Sequence, residues 1–308
     1  MLNAVPVNFI AKRGKKIMNC SLCPRMCGSN RTEKENKNGF CKMPLNPRVA
    51  RADLHFWEEP SVSGENGSGT VFFSGCSLNC VYCQNWDVSH NGQGKTISIS
   101  NLAEIFKELE NKGANNINLV TPSHYVTAIR EALDIYKPRI PIIYNSSGYD
   151  SVESLKMLEG YIDVYLMDLK YLSPERALKY SGAYNYPEVA KSAIKEAYRQ
   201  LGKLEFNENG IIKKGLIIRH LLMPLATKEA MAVFDWVRVN TPKAYFSIMS
   251  QYLPFGDAEK YPEINRKVTQ REYNKVLDYI MQFDFKNVYI QEKSSANKYF
   301  IPDFNLKD

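Results

Sequence analysis

The sequence contains no run of eighteen or more apolar residues, and this excludes a helix that spans a membrane. It has no low-complexity tracts, and its aromatic content is high, so global disorder is excluded as well. A secretory signal is also missing. The opening stretch MLNAVPVNFIAKRGKKIMNC places its basic cluster after its apolar residues, the reverse of the signal order, and the chain reads as cytoplasmic. Nor is the charge strongly one-sided. The formal balance is +7, and residues of both signs are interspersed beyond residue 70. That pattern lacks the basic stripe of a nucleic-acid binder. The densest basic run, Lys12, Arg13, Lys15 and Lys16, reads as a solvated tail. What the sequence does have is seven cysteines, an odd number and tightly clustered. In a large cytoplasmic chain such spacing points to metal or redox chemistry rather than to a disulfide framework.

The 308 residues, 44% of them hydrophobic, suffice for one large domain or two ordinary ones. Residues 1–69 show no clear periodicity and hold four cysteines, turn signals and many charges. They read as a cysteine-rich metal-binding segment. From residue 70 to 308 the text changes to short apolar runs alternating with amphipathic helices. Strands are expected at 70–75, 116–122, 141–148, 163–171, 214–224 and 245–254, with one more at 287–292. Between the first two, Leu102, Ile105, Phe106 and Leu109 share a helical face, with Ser100 as its expected cap and Gly113 as its end. Pro187 suits the first turn of a later helix, and Thr269 and Glu272 have capping-box spacing in the last one.

About six β/α units of this kind imply an α/β fold with a parallel sheet and right-handed crossovers. Periodicity is compatible with a doubly wound sheet and with a barrel. In both, chemistry belongs at the C-terminal ends of the strands. The polar residues there are Cys76, Ser123, His124, Asn145, Ser147, Asp168, Lys170, Arg219, His220 and Gln251. A slip of one residue turns any of these side chains to the other face.

The segment TVFFSGCSLNCVYCQNW places Cys76, Cys80 and Cys83 directly after the first expected strand, with spacing C-x3-C-x2-C and no fourth cysteine nearby. Three thiolates suit three corners of a 4Fe–4S cube and leave one iron open, whereas a structural zinc site needs a closed shell. Here the sequence resembles the radical S-adenosylmethionine enzymes, whose cluster loop GCSLNCVYCQN matches, including Tyr82 before the last cysteine. It is similar in particular to the pyruvate formate-lyase activating enzyme group, through ENGSGTVFFSGC and through Asn85 and Asp87. Within that group it resembles the PflX-like iron–sulfur branch over nearly the whole chain, in CSLCPRMCGSNR, HFWEEPSVSGENGSGTVFFSGC, NNINLVTPSHY, YNSSGYDSVESLK, MDLKY and IIRHLLMP.

The resemblance implies a partial (β/α)6 barrel and an enzyme that cleaves S-adenosylmethionine reductively at a 4Fe–4S cluster. The cofactor's methionine end chelates the open iron, and the 5′-deoxyadenosyl radical abstracts a hydrogen atom. It implies a reductant such as flavodoxin or ferredoxin and, as one candidate substrate, a glycine of a glycyl-radical enzyme or another protein or peptide. It assigns Tyr82 to the adenine, and Asn145, Asp168 and Lys170 to the ribose and methionine carboxylate. Asn85 and Arg219 join them as cofactor-site candidates. Where many relatives carry a Gly-Gly-Glu run that orients the methionine amine, this chain has TPSH. Ser123 or His124 is then expected to serve, and His124 and His220 are the candidate catalytic groups. The alternative is a non-catalytic iron–sulfur protein that transfers electrons or senses redox state; such a protein neither binds nor cleaves the cofactor.

Cys20, Cys23, Cys27 and Cys41 read C-x2-C-x3-C-x13-C. Four thiolates close a shell, so a four-cysteine zinc site and a second 4Fe–4S cluster both fit the spacing. The segment has little apolar material, so a metal is needed to hold it.

Overall fold

A computed structural model describes residues 16, 17, 19–36, 38–291, 302 and 304. The basic run at 12–16 lies outside them, apart from the backbone of Lys16. The described residues begin with a two-stranded antiparallel ribbon of β1 (Lys16–Ile17) and β2 (Arg31–Thr32). There follow β3 (Arg48–His55), α1 (Pro60–Ser63), β4 (Ser68–Phe73), α2 (Trp86–Ser89) and β5 (Lys95–Thr96). Then come α3 (Ile99–Asn111), β6 (Ile117–Val120), α4 (Val126–Ile135), β7 (Ile142–Ser146), α5 (Val152–Met157) and β8 (Val164–Asp168). The last third holds α6 (Pro174–Ser181), α7 (Tyr186–Leu201), β9 (Glu205–Phe206), β10 (Ile212–Leu221), α8 (Thr227–Asn240), β11 (Tyr245–Met249), α9 (Gln270–Ile280) and β12 (Val288–Ile290).

One sheet runs in the order β12-β11-β10-β8-β7-β6-β4-β3-β5, with β9 against β10. The run β12-β11-β10-β8-β7-β6-β4 is parallel throughout, as the strand–helix alternation dictates. Among the described residues the path is open, ending at β12 on one side and β5 on the other. No helix among them is long and apolar enough to cross a membrane.

On the expected face of α3, Leu102, Phe106 and Leu109 are buried and Ile105 is half-buried; on α4, Val126, Ile129 and Leu133 are buried. Pro187 lies in the first turn of α7, and Thr269 and Glu272 form the capping box of α9. At α3 the cap is Ser98, not Ser100. The Ser98 hydroxyl accepts from the Asn101 amide at 3.1 Å, because the helix starts one residue before Ser100.

A larger difference concerns residues 1–69. The β3 strand pairs antiparallel with β4, from Val49 opposite Phe73 to His55 opposite Ser68. The sheet therefore continues across the composition change at residue 70. The sequence RVARADLH hides this strand because only Val49 of it is fully buried, so no apolar alternation marks it.

The two faces of the sheet carry different material. Tyr144, Tyr165, Met167, Leu216 and Ile218 belong to the main core under the helices. Alternate residues on the other face, Ile143, Val164, Leu166, Ile212 and Ile217, pack with Val62 of α1 into a smaller cluster. Side chains alternate along a strand. Two residues beyond Ile143, Leu166 and Ile217, the same inner face therefore presents Asn145, Asp168 and Arg219. Apolar residues plug the lower part of that face, and polar ones occupy the C-terminal rim.

Candidate active site

A cavity opens over that rim. Its walls include Cys76, Cys80, Tyr82, Cys83 and Asn85 from the cysteine loop and Thr121 beyond β6. Asn145, Ser146, Ser147, Asp168, Lys170, Arg219 and Gln251 come from the ends of β7, β8, β10 and β11. The turn from β4 into the loop requires glycine. Gly75 has φ 76°, and a Cβ there would lie 2.4 Å from Met43 Cγ and 3.0 Å from the Cys41 carbonyl oxygen.

Each of the three sulfurs has a hydrogen-bonding neighbour. Cys76 Sγ accepts from the Leu78 amide at 3.3 Å, Cys80 Sγ lies 3.0 Å from Ser181 Oγ, and Cys83 Sγ accepts from Ser89 Oγ at 3.2 Å. Burial pushes all three thiols up, Cys80 to about 11, and nearby Lys170 works in the opposite direction. They are thiols until a metal displaces their protons. Among the described residues no three His, Cys, Asp or Glu side chains form a group set to hold a metal ion. The three sulfurs instead border a shared cavity. Tyr82 stands beside them, its hydroxyl 2.5 Å from that of Tyr171 and its ring 5.7 Å from the ring of Tyr252.

The floor is an ionic network. Asp168 Oδ2 accepts from Lys170 Nζ at 2.6 Å, and Oδ1 accepts from Arg219 Nε at 2.9 Å. Arg219 also donates to Asn145 Oδ1 at 2.7 Å and to Glu58 Oε2 at 3.0 Å. Glu58 Oε1 in turn accepts from Asn118 and Asn145, each at 3.1 Å. Burial opposes the ionisation of Asp168, but the two cations outweigh it and hold its carboxyl below the usual range. Burial likewise opposes the charge on Lys170, and Asp168 more than offsets it. Neighbouring Glu59 goes the other way, raised by burial and by the Glu58 charge despite the nearby Arg219.

Sequence reasoning missed Glu58, Glu59 and His55. Glu58 and His55 line the cavity, and His55 is pushed down to about 4 by burial and then by Arg51. Their signal was the HFWEEP stretch itself, paired carboxylates behind aromatic residues, but with β3 unseen nothing tied it to the sheet.

Of the residues expected at the cofactor site, Ser123, His124 and His220 lie outside the cavity. Ser123 donates to Asp150 Oδ1 at 2.5 Å, in a buried network that Tyr144 and Ser146 share. His124 is buried with Nε2 at 2.8 Å from the Ser74 carbonyl, so that nitrogen carries the proton. His220 is buried with Nδ1 at 2.7 Å from the Leu169 carbonyl. The reason for His220 is alternation: it sits between Arg219 and Leu221, both of which line the cavity, and so faces the other way. Beyond β6 the chain turns sharply, with Thr121 at φ 60°, and this carries Ser123 and His124 away from the rim.

The donor set fits a cluster and a zwitterionic cofactor. Three sulfurs, an ammonium, a guanidinium and carboxylates border one space, and the buried Asn85 Oδ1 there has no hydrogen-bond partner. The fold and the site together define an α/β protein with a cysteine-lined cavity at the C-terminal rim of a parallel sheet. The chain belongs to the Radical SAM superfamily, whose model matches residues 70–229. That family implies a 4Fe–4S cluster, S-adenosylmethionine and SAM-cleaving radical chemistry. The chain is 32% identical over 283 residues to an uncharacterized protein of Methanocaldococcus jannaschii, covering 88% of this chain and 77% of that one. It is also similar to the crystal structure of Streptococcus suis SuiB, with TM-score 0.47 and 17% identity over 73% of this chain. It spans 48% of the length of SuiB.

Proposed function

We propose that this protein is a radical enzyme that holds a 4Fe–4S cluster on Cys76, Cys80 and Cys83 and cleaves S-adenosylmethionine reductively to abstract a hydrogen atom from its substrate. The observation that carries this reading is the meeting, in one cavity, of three cysteine sulfurs with the Lys170–Asp168–Arg219 network. When bound, cluster and cofactor supply the one-electron cleavage of the sulfonium carbon–sulfur bond. The chain's own residues bind, orient and exclude water. Lys170 and Arg219 present fixed positive charge to the methionine carboxylate. Asp168, held ionised, presents acceptor oxygens to the amine or to the ribose hydroxyls. Asn85 and Asn145 offer further polar contacts, and Tyr82 a flat apolar surface for adenine. Glu58 supplies the acidic group for which the TPSH stretch has no counterpart.

The open ends of the sheet among the described residues support a partial barrel, with a side able to admit a large substrate. The resemblance to the activating-enzyme group and its PflX-like branch makes a glycine of a glycyl-radical enzyme the first substrate to try. Flavodoxin or ferredoxin is the electron donor of choice, and seven free cysteines suit a reducing cytoplasm. Calorimetric titration of the anaerobically reconstituted protein with S-adenosylmethionine tests the reading. The wild type is expected to bind and the Cys83→Ala variant to lose binding. A fully loaded wild type that does not bind would overturn it.

A further inference from the structure

Arg31 is almost wholly buried, at 1% exposure. Its guanidinium donates to the carbonyls of Met43 at 3.1 Å, His124 at 2.8 Å and Pro44 at 2.6 Å. Its other contacts in the described structure are the Tyr125 ring, whose centroid lies 5.6 Å from Cζ, and Cys20 Sγ, 3.8 Å from Nη1. No carboxylate is among these partners. A buried cation without a counter-charge is destabilising, and neutral carbonyls with one aromatic face solvate it only in part. The fold therefore holds a positive charge in a place that calls for an anion.

The anion's sources stand around it. Cys20 and Cys23 are buried, Cys41 is half-buried and Cys27 is exposed. Cys23 lies within electrostatic reach of Cys20, Cys27 and Cys41, and Cys41 within reach of Cys20 and Cys27. Three of the sulfurs have polar neighbours: Arg31 at Cys20, Ser29 Oγ at 3.3 Å from Cys27, and Asn36 Nδ2 at 3.8 Å from Cys41. Backbone turns from the Met26 amide to the Cys23 carbonyl and from the Gly28 amide to the Cys20 carbonyl fold the segment around them.

We propose that Cys20, Cys23, Cys27 and Cys41 bind, as thiolates, a second metal centre closed by four sulfurs, with Arg31 as its buried counter-charge. A four-thiolate zinc ion and an oxidised 4Fe–4S cluster each carry about two net negative charges, so either supplies the anion that Arg31 lacks. On binding, the thiols release their protons to solvent and the sulfurs close on the metal. The centre then pins docking contacts onto the neighbouring loop and the end of α6. Arg25, between Cys23 and Cys27, donates to the Ser77 and Gly182 carbonyls, each at 2.7 Å, and the Cys41 carbonyl packs against Gly75. This centre stands whether or not the three-cysteine loop cleaves S-adenosylmethionine.

The test is the metal and sulfide content of a Cys76→Ser, Cys80→Ser, Cys83→Ser variant, in which bound metal reports on the N-terminal site alone. One zinc per chain, or iron with acid-labile sulfide, supports the proposal and names the centre. A folded variant without metal overturns it. Should that variant not fold, the wild type is compared with Cys20→Ser, Cys23→Ser, which keeps the other loop; equal metal contents overturn the proposal. In Arg31→Gln, retention of the metal against a chelator is expected to fall about 10–100-fold, and less in Arg31→Lys. Unchanged retention in Arg31→Gln would remove the counter-charge role.

Discussion

His124 and Arg219 show how two polar residues at strand ends come to opposite uses. Arg219 shares its charge among Asp168, Glu58 and Asn145 on the cavity floor. His124 is buried and kept neutral, pushed down to about 3 by burial and by the positive charge of Arg31. Its folded value lies below its unfolded one of about 6.5, so between pH 6.5 and about 3 the unfolded chain holds a proton that the folded chain does not. Stability is unaffected above pH 6.5 and falls as pH drops through that window, by up to about 1.4 kcal/mol per pH unit. His124→Asn, whose amide can still donate to the Ser74 carbonyl, is expected to flatten this acid limb of the melting-temperature profile. An unchanged slope would show that His124 contributes nothing to it. The residue types of the floor were legible in the sequence, because charged groups at the end of an apolar run stand out. Which of them face inward was not, since that depends on parity and on the left-handed turn at Thr121.

Among the elements, the strands and helices from residue 70 onward follow their apolar periods closely. The β3 strand escaped notice because it lies near the sheet edge with most of its side chains half-exposed, and with it went Glu58 and Glu59. The element most sensitive to a single atom is the turn from β4 into the cysteine loop. Alanine at a left-handed position costs about 1–2 kcal/mol in backbone energy alone. Gly113, at φ 84° with open space around it, isolates that cost, whereas Gly75 adds overlap with Met43 and Cys41. Gly75→Ala is therefore expected to lower the melting temperature by more than Gly113→Ala and to reduce iron loading at the adjacent loop. Equal shifts for the two variants would mean that the Met43 and Cys41 packing is not tight.

Over the whole molecule, two separate groups of cysteines are neighbours, joined through Arg25 and through Cys41 against Gly75. Spacing separated the groups into three and four, and the fold adds that they are neighbours. The three-cysteine group faces the cavity beside the ionic floor. In the four-cysteine group, Cys20 contacts Arg31 and the Cys41 carbonyl packs against Gly75 at the start of the same loop. Substrate identity depends on the shape of the cavity mouth, which no local pattern encodes.

If the cavity cleaves S-adenosylmethionine through the loop of Cys76, Cys80 and Cys83, the anaerobically reconstituted, reduced protein forms 5′-deoxyadenosine. Product is expected from the wild type, and none above background from Cys83→Ala assayed alongside. A wild type that carries its full iron and sulfide, binds the cofactor and still yields no 5′-deoxyadenosine would contradict that reading.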